Sequence, residues 1–207
     1  MKPVVWSERP EPNATGLKDC TYSAGLMALI YGGKTTYPLG IYTAAEREAL
    51  ERSDAQPNET GASLSDLIVA VKARYHLTLT QNAADTLPVH LNRTNVALVV
   101  QGKMGNFPAG SDIRRWDPTF TGGHAVCVVA LGNDRFTWLD PLAPMKFAGD
   151  VVSDLMIKKF AIGSGRSIVV KLDEFVPVAT YTQAQMDVAV AAAKTAGYAQ
   201  AKSIARA

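Results

Sequence analysis

The chain has 207 residues, of which 47% are hydrophobic and 19% are charged. These values allow a single domain with a sizeable core, and they exclude the low hydrophobicity and high net charge of disordered chains. A net charge of only +2, without a basic run, argues against nucleic acid as a partner and against a polybasic membrane patch. The longest apolar run, residues 125–131, is too short for a membrane span, which needs about 20 residues.

The N-terminal residues predict neither a secretory signal nor a helix. Only three apolar residues precede a polar stretch, whereas a signal peptide needs a longer apolar segment. We therefore expect synthesis in the cytoplasm without a signal peptide. Pro3, Pro10 and Pro12 interrupt any helix, so residues 1–16 are predicted to form an extended leader.

Apolar periodicity predicts helices in the first half of the chain. The spacing of three and four residues over 20–31 predicts a helix that ends at the two glycines that follow. Thr43 is a candidate N-cap for a helix over 44–52. Ser63 and Asp66 have the spacing of a capping box ahead of a further helix.

The second half is rich in β-branched and alternating segments. The predicted strands cover residues 76–80, 95–101, 124–131, 135–139 and 167–172. A helix is predicted over 151–160. Helices followed by mainly antiparallel strands favour an α+β fold. Residues 102–123 form a 22-residue connection rich in Gly and Pro, a length typical of binding loops and lids.

The end of the chain differs from the rest in composition. Residues 177–207 are rich in Ala, and Thr182 and Gln185 are placed for a capping box. Because apolar positions are sparse there, we expect a tail helix that docks on the domain or on a partner. The predicted organisation is a leader at 1–16, a domain at 17–176 and this tail.

Three residues have the pattern of a cysteine-dependent acyl-transfer site. Cys20 is the expected first residue of a helix, where the helix dipole and unpaired N–H groups lower the pKa of a thiol. His124 follows two glycines and opens a strand, and Asp140 ends the next strand. A tight antiparallel turn places these two side chains together, where Asp140 can orient the imidazole. Nucleophile, base and orienter are what this chemistry requires.

The other candidates for these roles lack such an arrangement. Asp117 lies inside the long connection, where no strand pairing brings it to His124. His76 and His90 are predicted to be structural or solvent-facing, and Cys127 is predicted to be a buried, inert thiol. Scattered histidines and distant cysteines give no zinc-ligand spacing, so neither a metal nor another cofactor is expected. The aromatic residues expected to line a cleft are Phe107, Trp116 and Phe120, whereas Trp138 is expected in the core.

These motifs resemble those of a known family. The stretch KDCTYSAGLMAL at 18–29 resembles the nucleophile helix of papain-like cysteine peptidases, especially their bacteriocin-processing, C39-like branch. GGHAV at 122–126 and WLDPL at 138–142 are similar to the His and Asp-Pro motifs of that branch. The resemblance covers residues 15–172. It implies a papain-like fold with Cys20 as nucleophile, His124 as general base and Asp140 as its orienter.

A narrower resemblance points to bacteriophages. RWDP at 115–118 and YPLG at 37–40 are similar to stretches in lysins and virion-associated hydrolases of phages that infect actinobacteria. This implies a substrate in peptidoglycan stem or cross-bridge peptides, or in a phage protein. It also implies action at the cell wall after release or within a phage particle, with virion proteins as possible partners of the tail helix.

One position departs from the family pattern. The family usually has a Gln six residues before the nucleophile, which completes the oxyanion hole, but this chain has Ala14. The candidates for oxyanion or substrate contact are Asn13, Asp19, Trp116 and Gly123. Two alternatives therefore stay open beside a peptidase. One is a non-catalytic or weakly active virion protein that keeps the fold, and the other is a different acyl transfer, such as crosslinking.

Overall fold

The computed structural model describes most of the region that carries the predicted helices and strands. The described residues are 20–34, 49–50, 61–82, 87–91, 96–115, 117–132, 134–142, 150–163 and 166–171. All of them lie within Met1–Glu174, one of two units into which the chain divides. The predicted leader and tail lie outside the described residues, as does the helix over 44–52 except for residues 49–50, which are helical.

The helices in the described part of the chain differ in length and in how they begin. They are α1 (Cys20–Tyr31), α2 (Leu64–Tyr75), α3 (Leu87–Leu91) and α4 (Asp154–Ala161). The predicted helix at 20–31 is confirmed. The capping box of α2 is also confirmed, because the Ser63 hydroxyl accepts from the Asp66 N–H and the Asp66 carboxylate accepts from the Ser63 N–H. None of the described helices has the length and apolar character needed to cross a bilayer.

In the described residues, six strands form one antiparallel sheet. They are β1 (Gln81–Asn82), β2 (Val96–Lys103), β3 (Gly123–Gly132), β4 (Arg135–Leu139), β5 (Asp150–Ser153) and β6 (Ser167–Lys171). Their order across the sheet is β1-β6-β2-β3-β4-β5, and every neighbouring pair is antiparallel. The helices and this sheet confirm the predicted α+β class.

Apolar residues alternate between the two faces of the sheet and build a core on each. On one face, Val99 and Cys127 pack with α1 and α2; on the other, Val100 and Val126 pack with α4. Full burial of one large apolar side chain contributes about 1.5–3 kcal/mol, so the two clusters hold the helices to the sheet. Cys127 is completely buried, as predicted.

The prediction of a strand over 76–80 is wrong. His76 has a φ of 57° and ends α2 in the left-handed conformation, and residues 77–80 form no ladder. Their alternation has another cause, since Leu77 and Leu79 pack against the α1 core. Ladder pairing begins only at β1, which meets β6.

The predicted helix over 151–160 is also too long at its start. Residues Asp150–Ser153 form β5, which pairs with β4, and the helix α4 begins at Asp154. Ser153 has extended backbone angles at the N-cap position, which separates strand from helix. The apolar pair Val151–Val152 suits either structure locally, and its pairing with β4 decides the outcome.

The long connection between β2 and β3 is fastened to the rest of the fold. Hydrogen bonds from the Met104 and Gly105 N–H groups to the carbonyls of Gly122 and Thr121 continue the ladder beyond the strands. The Asn106 amide donates to three carbonyls at the end of α4. Phe107 is buried in the α4 core, so its predicted place in a cleft is wrong.

Candidate active site

Cys20 is the first residue of α1, as predicted. Its N–H is therefore among those with no carbonyl acceptor inside the helix, and the positive end of the helix dipole lies at the thiol. The residue is partly exposed, in contrast to the ten buried residues that follow it in α1. A partly exposed thiol at a helix N-terminus is a suitable position for a nucleophile.

His124 and Asp140 lie together at one end of the sheet. In the β3–β4 ladder Cys127 pairs with Leu139, so Asp140 comes opposite Val126 and on the same face as His124. The distance between His124 Nε2 and Asp140 Oδ1 is 2.8 Å, and both side chains are 2% exposed. The predicted juxtaposition of these two residues is confirmed.

Asp140 is itself held by two further donors. The backbone N–H of Leu142 donates to Oδ1 at 2.8 Å, and the indole N–H of Trp138 donates to Oδ2 at 3.4 Å. Hydrogen bonds that satisfy the oxygens of a buried carboxylate fix its position. The orientation of the His124 ring is therefore set by a carboxylate that is fixed at both oxygens.

The thiol and the imidazole interact with each other. Because Nε2 of His124 is bound to Asp140, Nδ1 is the ring nitrogen that remains for the hydrogen bond with Cys20. Burial lowers the pKa of His124, but the charge and hydrogen bond of Asp140, together with Cys20, outweigh it and raise the pKa to about 10. A histidine with this pKa is protonated at neutral pH.

The pKa of the Cys20 thiol moves in the opposite direction. Burial raises this pKa, but the hydrogen bond and charge of His124 outweigh burial and leave it below its ordinary value. A hydrogen bond from the Ala125 N–H lowers it further. The two shifts together favour a thiolate–imidazolium pair, which is the reactive state of a cysteine nucleophile.

The β2–β3 register explains why the Ala125 N–H is available to the thiolate. Ala125 lies opposite Gln101, and the Gln101 N–H bonds the carbonyl of Arg166 on the β6 side. In an antiparallel ladder, such a pair does not exchange hydrogen bonds with each other. The Ala125 N–H therefore points away from β2.

The residues next to His124 differ in how much space they fill. Gly123 is exposed at the start of β3, and a Cβ placed there would meet no atom within 4 Å. The Phe120 ring stands edge-on to the His124 ring, with 5.7 Å between the ring centroids. The Phe120 ring thus covers one side of the imidazole, while the space around Gly123 is open.

Comparison with known proteins gives a match at the level of structure. No family model matches the chain, and no curated protein matches it by sequence. It is similar to the crystal structure of a "putative C39-like peptidase" from Bacillus anthracis, with a TM-score of 0.52 and 14% identity. The similarity covers 82% of this chain and 94% of that chain. This chain has the C39-like peptidase fold. An identity this low shows the fold alone.

The structure brings four of the predicted site residues together. Cys20, His124, Asp140 and Gly123 meet at one end of the sheet. Three other candidates lie outside the described residues: Asn13, Asp19 and Trp116. Among the described residues, no three His, Cys, Asp or Glu side chains converge as metal ligands.

The residues that were not predicted to be catalytic have other roles in the structure. Asp117 accepts hydrogen bonds from the Thr119 N–H and hydroxyl and from the Phe120 N–H, which makes it a turn residue of the connection. His76 ends α2, and His90 is buried in α3. Trp138 is buried in the α4 core, as predicted, and also donates to Asp140.

Two polar residues near the start of α1, Thr21 and Gln101, were not predicted to lie at the candidate site. Thr21 is buried at the start of α1, and Gln101 on β2 donates from its amide to the Thr21 hydroxyl at 3.3 Å. A signal was present, because Gln101 follows Ala97 and Val99 on the α1 face of β2. A polar residue that continues an apolar alternation marks the end of the core.

Proposed function

We propose that this protein is a cysteine peptidase that cleaves peptide or amide bonds with Cys20, His124 and Asp140. The observation that carries the proposal is the buried His124–Asp140 pair, 2.8 Å apart, beside a thiol at a helix N-terminus. The fold supports the proposal, because the similar structure from Bacillus anthracis is described as a C39-like peptidase. Fold alone does not establish an activity, so the argument depends on the side chains.

The arrangement of the three residues gives each a distinct role. The Cys20 thiolate attacks the carbonyl carbon of the scissile bond, and the carbonyl electrons move to oxygen to form a tetrahedral intermediate. His124 donates the Nδ1 proton to the leaving amine as the C–N bond breaks, which yields an acyl-enzyme. It then takes a proton from water, which attacks the acyl carbon and releases the thiolate. Asp140 orients the ring and stabilises its positive charge.

The oxyanion that forms in the first step needs hydrogen-bond donors. The Cys20 N–H at the start of α1 is the proposed first donor, because it has no acceptor inside the helix. Asn13 is the proposed second donor in place of the family Gln. The amide of Gln101 does not fill this role, since its donors are used by Thr21 and the Ala62 carbonyl.

The proposed substrate is a peptide of peptidoglycan, in its stem or cross-bridge, or a phage protein. Support comes from the sequence resemblance of residues 115–118 and 37–40 to lysins and virion-associated hydrolases of phages. The open space at Gly123 beside the imidazole suits an extended peptide chain. Asp19, Trp116 and Gly123 are the proposed substrate contacts. We place the protein's action at the cell wall after release, or within a phage particle whose proteins contact the predicted tail helix.

The test is cleavage of purified actinobacterial peptidoglycan and of a peptide library, with products identified by mass spectrometry. We expect Cys20→Ala to abolish cleavage and the matched Cys127→Ala variant to retain it, because Cys127 is buried in the core. Cleavage by Cys20→Ala at the wild-type rate would contradict the proposal.

Two other outcomes would identify the alternatives. Accumulation of crosslinked products in place of cleaved ones would show a different acyl transfer by the same residues. Absence of any turnover by the wild type, together with a stable complex with a virion protein, would favour the non-catalytic alternative. The observation that favours the non-catalytic alternative is Ala14 in place of the family Gln.

A further inference from the structure

A group of three hydrogen bonds joins the first turn of α1 to the sheet. The Thr21 hydroxyl donates to the carbonyl of Ala62 at 2.7 Å, and Thr21 is 1% exposed. The side-chain amide of Gln101 donates to that same carbonyl and to the Thr21 hydroxyl oxygen, both at 3.3 Å. Three segments that are distant in the chain therefore meet one residue from Cys20: α1, the residue before the N-cap of α2, and β2.

The chemistry of these three groups allows one arrangement of their hydrogens. A carbonyl oxygen only accepts hydrogen bonds, so the NH2 end of the Gln101 side chain, and not its oxygen, faces Ala62. The Thr21 hydroxyl has a single hydrogen, which the Ala62 carbonyl receives, and its oxygen accepts from Gln101. Because the hydroxyl hydrogen and both amide hydrogens are in use, the three groups fix one another's positions.

Gln101 lies at the part of the sheet that carries the candidate site. It is opposite Ala125 in the β2–β3 ladder, and Ala125 directly follows His124 in the chain. Cys20 packs against the core cluster that contains Ala125. The hydrogen bond between Gln101 and Thr21 thus connects the residue after the nucleophile to the strand that lies beside the one with the general base.

We propose that Gln101 is a positioning residue for Cys20, which holds the first turn of α1 on the sheet and so sets the thiol against His124. The proposal rests on the proposed function, because the placement of the thiol matters for chemistry only where Cys20 is the nucleophile. Gln101 takes no part in bond breaking, since both of its amide hydrogens are used inside the group.

A directional link matters at this end of α1 because the apolar contacts of the helix have no preferred direction. The hydrophobic effect depends on the area buried, whereas a hydrogen bond weakens steeply when its angle departs from the ideal. A misplacement of about 1 Å at a reacting group can cost on the order of 10²-fold in rate. The polar group therefore supplies the precision that the apolar core under α1 lacks.

The positioning role is tested by the pH dependence of iodoacetamide alkylation at Cys20 in the full chain, with labels located by mass spectrometry. Gln101→Met keeps the length of the side chain and removes both amide donors. An opposite charge nearby shifts a pKa by about 1–3, and a displaced thiol loses part of that interaction, so we expect the midpoint to rise by about one pH unit. NMR titration should also show a lower His124 pKa, because Cys20 helps to raise it.

Val129→Ala is the matched control for a loss of stability alone. Val129 is buried in the α1 core on the same strand as His124, but it lies opposite Ala97, at the end of the β2–β3 ladder away from the site. Removal of its methyl groups destabilises the fold by leaving a cavity. Urea unfolding gives the stability of each variant, and this control should keep the wild-type midpoint of Cys20 alkylation.

Substitutions of Thr21 test the same link from the α1 side. Thr21→Ser keeps the hydroxyl and should retain the wild-type midpoint, whereas Thr21→Val removes it and should raise the midpoint. We expect Gln101→Met to add little to the shift of Thr21→Val, because Gln101 acts on α1 through Thr21. Shifts that add fully in the double variant would overturn the positioning role.

The outcomes separate this role from the proposed function. A wild-type midpoint near 8.5, the value of an ordinary thiol, would contradict both. A lowered wild-type midpoint that Gln101→Met leaves unchanged, or that Val129→Ala raises equally, would overturn the positioning role alone. Cys127 is the internal control for folding, because it is fully buried and reacts only when a variant opens the core. If Gln101→Met exposes Cys127 to the label, Thr21→Val decides, and an unchanged midpoint there overturns the role.

Discussion

At the scale of single residues, the charge of Asp140 determines the state of the candidate site. Asp140 is the largest contributor among the groups that raise the His124 pKa, through both its charge and its hydrogen bond. Asp140→Asn keeps the size of the side chain and removes the charge. We expect the His124 pKa to fall from about 10 toward or below 6.5, since burial then acts against protonation. NMR titration of the ring measures this shift.

The same substitution has a predicted effect on stability that depends on pH. A raised pKa in the folded state stabilises the protein fully below the unfolded pKa of 6.5, and this contribution is lost as the pH rises through about 10. In a Cys20→Ser background, which removes the coupled thiol, the stability difference caused by Asp140→Asn should be largest below pH 6.5. It should shrink as the pH rises through the folded-state pKa of His124. A pH-independent difference in urea unfolding would contradict the ion pair.

The sequence was sufficient to predict that Cys20 begins a helix and that His124 and Asp140 lie together. Cys20 precedes a clear helical periodicity, and His124 and Asp140 belong to adjacent strands joined by a short turn, so local rules place them. Gln101 and Thr21 belong to β2 and α1, which are distant in the chain. Their contact depends on how α1 packs on the sheet, and no local pattern encodes that packing.

At the scale of elements, α4 packs closely on β2 at the end of the sheet where His124 lies. Gly102 pairs with His124, and a Cβ at Gly102 would come within 2.3 Å of the Phe160 carbonyl oxygen. We expect Gly102→Ala to push α4 away and to destabilise the fold by about 1–3 kcal/mol. Urea denaturation measures the loss.

Gly110→Ala is the matched control for this prediction. Gly110 lies in the connection that follows β2, and a Cβ there would meet nothing within 4 Å. This control should therefore stay within about 0.5 kcal/mol of the wild type. Equal stability of the two variants would show that α4 does not pack on β2 as described.

The predictions for β5 and for residues 77–80 were wrong for the same physical reason. β5 consists of Val151 and Val152 between the polar residues Asp150 and Ser153. This pattern also suits the first turn of a helix, and the pairing with β4 makes the segment a strand. The alternation at 77–80 suits a strand, yet it reflects packing of two leucines on the α1 core. In both places a long-range contact outweighs local propensity.

At the scale of the whole molecule, the candidate site exists only where distant parts of the chain meet. Cys20 comes from α1, and His124 and Asp140 come from the far end of a hairpin on the sheet. A protein that kept this fold for a structural role would keep the core clusters without needing a reactive thiol. The C39-like fold is therefore common to both readings, and the state of the thiol separates them.

The most direct test of the central claim is the pH profile of iodoacetamide alkylation at Cys20 in the wild type and in His124→Ala. The account predicts that the labelling midpoint of Cys20 in the wild type lies below the ordinary thiol value of about 8.5, because His124 lowers the thiol pKa. It predicts that His124→Ala moves the midpoint upward, toward or above the ordinary value of about 8.5. A wild-type midpoint near 8.5 that His124→Ala does not change would contradict the claim that these residues form a catalytic pair.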